Sequence, residues 1–146
     1  MGRFKMHMDL ANNQEMNAAL LGHIPMSEVR TAEVEGWVDT GAAQLVLPKT
    51  VVDAIGVPVA GQTNVTLADG SKHRRDYVKQ VWVSMAGRDG VFPAIVEPTR
   101  EDALIGAVVL EILDLYVDPV TQECLPRDPD VLLVEIGSDE IPPTPR

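Results

Sequence analysis

The chain reads Gly36-Trp37-Val38-Asp39-Thr40-Gly41-Ala42 at the point that decides its fold. The residues before the aspartate, Thr31–Val38, have the β-branched and aromatic composition of a strand. Asp-Thr-Gly is typical of a tight turn, so the pattern predicts a strand that delivers Asp39 into a turn. Taken alone, Asp39 fits a structural turn residue or a helix cap as well as it fits a functional carboxylate.

Strand patterns lie on both sides of this turn. Polar and apolar residues alternate over residues 3–10, and this period of two predicts a half-buried strand. The polar run at residues 12–15 predicts a loop. After the turn, residues 44–47 predict a short strand, and Lys49–Ile55 predicts two turns of helix that end at Gly56.

The second half of the chain continues the β pattern. Residues 64–67 and 77–85 predict two strands joined by the strong hairpin signal Ala68-Asp69-Gly70-Ser71. The second of these strands should place on one face the residues Tyr77, Lys79, Val81, Val83 and Met85. The pattern then predicts strands at residues 91–96 and 131–136 and a short helix at residues 108–113.

Many short strands with one or two short helices predict a mostly β, closed barrel-like domain. We assign this domain to residues 1–137 and a flexible, Pro-rich C-terminal tail to residues 138–146. A chain of 146 residues has the usual size of a single domain.

Composition and charge exclude several classes of function. No apolar run approaches the roughly 20 residues that a membrane-spanning helix needs, so no membrane partner is expected. The formal net charge of −10 argues against sequence-independent binding of nucleic acid, which requires clustered Lys and Arg. The opening residues alternate charged and apolar groups and lack a secretory signal, which predicts a cytoplasmic protein.

The single cysteine and the three histidines are not spaced as in a known thiol or metal site. Cys124 cannot form an intrachain disulfide, and it is predicted to be inert. His7, His23 and His73 lack metal-ligand spacing, so neither a metal site nor a cofactor is expected.

The whole set of segments resembles the retropepsin-like aspartic proteases, a family that includes small prokaryotic members. The matching segments are Val38-Asp39-Thr40-Gly41-Ala42, Leu45-Val46-Leu47-Pro48, Leu67-Ala68-Asp69-Gly70, Leu104-Ile105-Gly106 and Val117-Asp118-Pro119-Val120-Thr121. Their order and approximate spacing fit the family across most of the chain. The resemblance implies an acid-protease barrel with one lobe per chain and an aspartic endopeptidase activity toward peptides or proteins.

The resemblance also implies roles for individual residues. Asp39 would be the catalytic carboxylate, and Ala68, Asp69 and Gly70 would form a flap that covers the substrate. The supporting residues of the active-site turn would be Thr40, Gly41, Ala42, Ile105 and Gly106.

One Asp-Thr-Gly in a chain about half as long as a two-lobed aspartic protease implies a homodimer, with the second carboxylate supplied by Asp39 of the partner. The internal rival is Asp118, but Pro119 follows it where the family has Thr and lacks a backbone N–H. Asp118 is therefore predicted to be a structural turn residue.

Two departures from retroviral members leave the function open. The hairpin tip is polar and basic from Ser71 onward, which fits either a solvated turn or a preference for acidic peptides. Ala43 and Ala107 stand where the family commonly has a paired Asp and Arg. The alternatives to the endopeptidase are a catalytically silent dimerisation or peptide-binding module and a regulator whose partner contacts dominate.

Overall fold

The computed structural model describes residues 4–128 of the chain. The strands are β1 (Phe4–Asn12), β2 (Thr31–Val38), β3 (Leu45–Pro48), β4 (Val59–Thr66), β5 (Lys72–Met85), β6 (Arg88–Glu97), β7 (Ala103–Ile105), β8 (Leu115–Asp118) and β9 (Glu123–Pro126). The helices are α1 (Asn13–Leu20), α2 (Lys49–Ile55) and α3 (Ala107–Ile112), with a short 3-10 helix at Met26–Glu28. The predicted strand at residues 131–136 and the predicted tail lie outside the described residues.

Six strands close into a barrel. They follow the order β1-β2-β7-β3-β6-β5, and β1 completes the ring by pairing with β5 from Asp9↔Ser84 to Asn12↔Val81. Among the described strands, β4 pairs with β5 alone and lies outside the ring as one arm of a long hairpin, whereas β8 and β9 form a separate hairpin. The prediction of a mostly β, closed barrel is confirmed.

Alternating side chains fill the interior of the barrel. Each strand of the ring turns one face inward, as a closed sheet requires. The largest fully buried side chains on these strands are Phe92, Met8, Leu10, Leu45, Leu47, Ile105, Val78, Val81 and Val83. Ile55 of α2 and Val109 and Leu113 at α3 are also fully buried in the core. Burial of a side chain of this size stabilises the fold by roughly 1.5–3 kcal/mol, so this interior supplies the main driving force for folding.

The arrangement of β2, β7 and β3 positions the turn that follows β2. Strand β7 lies between the other two, parallel to β2 and antiparallel to β3. The register pairs Val38 with Ile105, the last residues of β2 and β7. Because these strands are parallel, the segments that leave them, Asp39 and Gly106 onward, emerge at the same edge of the barrel.

Two local predictions are wrong, each for an identifiable reason. Residues 13–20 form helix α1 and not a loop, because the Asn12 side chain accepts a hydrogen bond from the Glu15 amide and caps the helix (3.1 Å). The predicted face of β5 fails in its first half, where Val78 is buried and Lys79 is exposed. Gln80 has a φ of 64° at a register shift, so a bulge moves the inward face by one residue.

Among the described residues, none of the helices has the length and apolar character that crossing a bilayer requires.

Candidate active site

The turn after β2 holds Asp39 by backbone hydrogen bonds on two sides. Its amide donates to the Ile105 carbonyl (3.0 Å), which extends the pairing of β2 with β7 by one residue. On the other side, the Gly41 amide donates to Asp39 Oδ1 (3.0 Å), and the Ala42 amide donates to the Asp39 carbonyl (3.1 Å). The carboxylate is half-buried and oriented by its own turn, whereas Thr40 and Gly41 are exposed.

Glycine at position 41 keeps space around the carboxylate. A Cβ added there would lie 3.2 Å from Asp39 Oδ1, closer than most side-chain contacts allow. The same Oδ1 accepts the Gly41 amide, so the short approach of backbone to carboxylate depends on the missing side chain.

Gly106 lies directly behind this turn and allows the two backbone segments to pack closely. The chain after the turn lies against it, because the Ala107 amide donates to the Ala42 carbonyl (2.8 Å) and the Val108 amide donates to the Ala43 carbonyl (3.0 Å). A Cβ on Gly106 would lie 2.3 Å from the Gln44 carbonyl oxygen. Ile105, its neighbour, is fully buried in the barrel. The structure thus places both predicted supporting residues directly behind the Asp39 turn.

Ala43 and Ala107 meet at this same junction. Both stand where retroviral members commonly have a charged pair, and here the contact between the two segments is made by backbone atoms. No charged side chain is needed for the two segments to interlock.

The turn at residues 67–71 joins β4 to β5 and is held by local contacts. The Leu67 amide donates to the Ser71 carbonyl (2.8 Å), and the Gly70 amide donates to the Leu67 carbonyl (2.9 Å). Asp69 Oδ1 accepts both the side-chain hydroxyl and the backbone amide of Ser71, and these bonds lower the pKa of the Asp69 carboxyl. Gly70 adopts a φ of 84°, which favours glycine.

The two turns share one cleft of about 870 Å³. It is lined by Asp39, Gly41, Ala42, Ala43, Gln44, Val46, Val65, Thr66, Leu67, Ala68, Arg75, Ile95, Glu97, Thr99, Arg100 and Leu104. The structure therefore brings Asp39 and Ala68 together across this Asp39 cleft. Asp69 and Gly70, the other residues predicted for the flap, are absent from its lining.

Three charged residues of the cleft were not predicted from the sequence. Arg75 Nε donates to both carboxylate oxygens of Glu97 (2.9 and 3.0 Å), and both side chains are mostly buried. Arg100 approaches from the loop after β6. No sequence pattern identifies this pair, which follows from the strand register. Tyr77 pairs with Ile95, so Arg75 and Glu97, each two residues beyond that pair, face each other.

Asp118 and Cys124 lie in the β8–β9 hairpin, and neither lines the Asp39 cleft. Asp118 Oδ1 accepts the amides of Val120 (2.9 Å) and Thr121 (3.3 Å), so it stabilises the turn as predicted. Burial raises the pKa of the Cys124 thiol to about 11, which keeps it protonated and poorly nucleophilic near neutral pH.

Strand pairing brings His7 near carboxylates that are distant in sequence. His7 Nε2 lies 3.0 Å from Asp9 Oδ1 and 3.3 Å from Glu33 Oε1, and its Nδ1 lies 3.6 Å from Glu35 Oε2. The bond to Asp9, with the nearby acidic groups, raises the pKa of His7. His7, Asp9 and Glu33 are ligand types that can hold a metal ion, a grouping that sequence spacing alone did not predict. They are exposed, and none of them lines the Asp39 cleft.

Comparison with known families agrees with this geometry. Residues 27–109, more than half of the chain, match a family model described as aspartyl protease. The match includes the Asp39 turn, the β4–β5 hairpin and Gly106. No curated protein matches the chain. The chain therefore belongs to the retropepsin-like aspartyl protease family.

Proposed function

We propose that this protein is an aspartic endopeptidase that hydrolyses peptide bonds as a homodimer, with water activated between the Asp39 carboxylates of two subunits. The supporting observation is the position of Asp39: a half-buried carboxylate, oriented by the Gly41 amide, that lines a cleft of about 870 Å³. A cleft of this size accommodates several side chains of an extended peptide.

Peptide hydrolysis without a metal requires a base and an acid at the same place. One carboxylate takes a proton from water as the water oxygen forms a bond to the carbonyl carbon, while a protonated carboxyl donates to the carbonyl oxygen. The C–N bond of the resulting tetrahedral diol then breaks as a proton passes to the amine nitrogen. Two close carboxyls suit this task because they share one proton, as established for the carboxylate pairs of this family.

The partner subunit is the best source of the second carboxyl. Within one chain, the only other described carboxylate that lines the cleft is Glu97. Both of its oxygens already accept from Arg75 Nε. Asp118, the other sequence candidate, stabilises its own turn elsewhere. A two-fold axis that passes beside the exposed Thr40-Gly41 segment would instead bring two equivalent Asp39 groups together.

Substitution of Asp39 by Asn tests the proposal. We expect cleavage of a pooled peptide library, followed by mass spectrometry across acidic and neutral pH, to fall at least about 1,000-fold while the circular dichroism spectrum is unchanged. Asp118→Asn is the matched control, since it makes the same chemical change in a turn outside the cleft, and it should cleave normally. Full activity in the Asp39→Asn variant would exclude Asp39 as the catalytic residue.

Mixing the two forms tests the homodimer. When equal amounts of wild type and Asp39→Asn exchange subunits fully, only about a quarter of random dimers have two native chains. Activity should therefore fall to about a quarter of that of an all-native sample at the same total concentration. A fall only to one half would mean that each subunit works independently.

One observation favours the alternative of a catalytically silent peptide-binding module. The turn that would cover the substrate is polar, and Ser71 forms hydrogen bonds with both Asp69 and His73. If this turn does not close over the cleft, water is not excluded and catalysis fails. Binding of library peptides by the wild type, with no cleavage at any pH, would support that alternative.

A further inference from the structure

The formal charges that line the Asp39 cleft sum to zero, but only one cation and one anion among them are paired directly. Its described lining includes the charged residues Asp39, Arg75, Glu97 and Arg100. Arg75 and Glu97 neutralise each other through two hydrogen bonds and are mostly shielded from solvent. Apart from Asp39, the part of the wall built from residues 4–128 is left with the positive charge of Arg100.

Arg100 is held in place without being neutralised. Its Nε donates to the backbone carbonyl of Asp102 (2.9 Å), which fixes the direction of the guanidinium. The Asp102 carboxylate does not reach it, because that group forms an ion pair with Lys5 Nζ (3.0 Å). Among residues 4–128, no carboxylate lies within ion-pair distance of Arg100, and its terminal nitrogens make no hydrogen bond to the protein.

A half-buried guanidinium with both terminal nitrogens available is suited to a carboxylate. The two nitrogens present parallel N–H donors that match the two oxygens of Asp or Glu, and partial burial strengthens the contact. The lining of the same cleft is largely apolar and includes Val46, Ile95 and Leu104. A neutral polar side chain would gain less from Arg100, because its hydrogen bond to the guanidinium lacks the opposite charge.

We propose that Arg100 determines the substrate class of this site, by binding the side-chain carboxylate of an acidic residue beside the bond to be cleaved. This inference rests on the proposed endopeptidase function. It assigns selection to Arg100 and not to the basic hairpin tip, because Arg74 lies on an exposed part of β5 and bonds to Gln62 (3.1 Å) and Asn64 (3.4 Å).

The net charge of −10 does not favour acidic peptides by itself. At physiological salt, however, charges interact over only about 8 Å in water. A local cation in the cleft therefore acts on a bound side chain, while the distant acidic surface is screened. Preference for acidic substrates should consequently persist at 0.15 M salt, roughly the physiological ionic strength.

The experiment uses pooled peptides with acetylated N-termini and amidated C-termini, so that side chains are the only source of carboxylate. Each sequence is made with Glu or Gln at every position beside the central bonds, and kcat/KM is measured for each pair. For the wild type we expect the Glu member of the best pair to be cleaved about tenfold faster or more. Arg100→Gln should bring the ratio close to one, and Arg100→Glu should transfer the preference to Lys.

Arg74→Gln is the matched control, since it removes the same charge outside the cleft and should retain the Glu preference. Circular dichroism confirms that each variant is folded. A Glu preference unchanged in Arg100→Gln, or lost instead in Arg74→Gln, would overturn the inference and leave the proposed endopeptidase intact, because cleavage still occurs.

If the wild type cleaves no peptide, the proposed function fails and the inference is decided by binding. The same library is incubated with wild type and Arg100→Gln, and retained peptides are counted by mass spectrometry. Glu-selective retention by the wild type alone supports recognition by Arg100. Equal retention of Glu and Gln peptides by the wild type overturns it.

Discussion

The turn at Asp39 and the turn at residues 67–71 line the same cleft, yet different parts of the chain support them. The Asp39 turn is bound to the ends of β7 and α3, through the Ile105 carbonyl and the Ala107 and Val108 amides. The turn at residues 67–71 is bound to itself, through Leu67, Asp69 and Ser71. The first is therefore coupled to the core and the second is not.

This difference suits the function that we propose for each turn. A catalytic carboxylate needs a fixed direction, which a turn interlocked with the barrel provides. A turn that admits and covers a peptide needs freedom to move, and few contacts with the core leave its local opening inexpensive. Substitutions that change one contact at a time in or beside each turn test this difference.

The largest effect is expected from Gly106→Ala. The new Cβ would meet the Gln44 carbonyl oxygen at 2.3 Å and the Ala43 carbonyl carbon at 2.7 Å, and both are backbone atoms. Because the barrel resists their movement, we expect the free energy of unfolding to fall by about 3 kcal/mol or more. Urea denaturation at fixed protein concentration measures this change. A loss below about 1 kcal/mol would show that the Asp39 turn is not rigidly interlocked.

A smaller loss is expected where the stem of the hairpin meets the barrel. Glu97→Gln removes the charge that neutralises Arg75, whose side chain is only 20% exposed. We expect a loss of about 2 kcal/mol in the free energy of unfolding, because the guanidinium remains mostly buried without its counter-charge. Asp53→Asn is the control, since it breaks the exposed Lys49–Asp53 pair and should change stability much less. Equal effects of the two variants would contradict this explanation.

Gly70→Ala tests the hairpin turn with the same substitution as Gly106→Ala. Here nothing lies within 4 Å of an added Cβ, so the cost comes from the backbone φ of 84° alone. We expect a loss of about 1 kcal/mol, clearly less than for Gly106→Ala. If the order of the two effects were reversed in the same urea assay, the contrast between the turns would be wrong.

The smallest effect concerns acid and Asp69. Bonds from Ser71 lower the pKa of this carboxyl below its ordinary value of 3.8 in the folded protein. Its contribution to stability is therefore present above pH 3.8 and is lost as the pH falls through the lowered pKa. Asp69→Asn should therefore lose less thermal stability than the wild type as the pH falls through that acidic range. Near neutral pH, the dependence of thermal stability on pH should be the same in both proteins. Titration of Asp69 by NMR at or above 3.8 would contradict the assignment.

The sequence predicts the elements whose signals are local. Strand β2 and helix α2 have the predicted bounds, because the Asp-Thr-Gly turn ends the strand and Gly56, with a φ of 71°, ends the helix. The placement of Asp39 at the end of a strand follows from the same pattern. These features depend on neighbouring residues, so one sequence contains enough information for them.

Features that depend on strand register cannot be predicted from the sequence pattern. The bulge at Gln80 exchanges the inward and outward faces of the first half of β5, and no nearby residue type predicts a bulge there. The approach of Arg75 to Glu97 and the orientation of Arg100 follow from pairings between distant segments. For this reason the catalytic candidate was predictable, whereas the charged residues Arg75, Glu97 and Arg100 that line the cleft were not.

The central claim is that the rigid Asp39 turn is half of a shared catalytic site. The most direct test is a crystal structure of the assembled protein, in which the separation of Asp39 carboxyl groups from neighbouring subunits is measured. The account predicts two Asp39 side chains across a two-fold axis with oxygens about 3 Å apart, beneath the β4–β5 hairpins. An assembly in which each Asp39 faces solvent or a separate cleft, far from its counterpart, would contradict it.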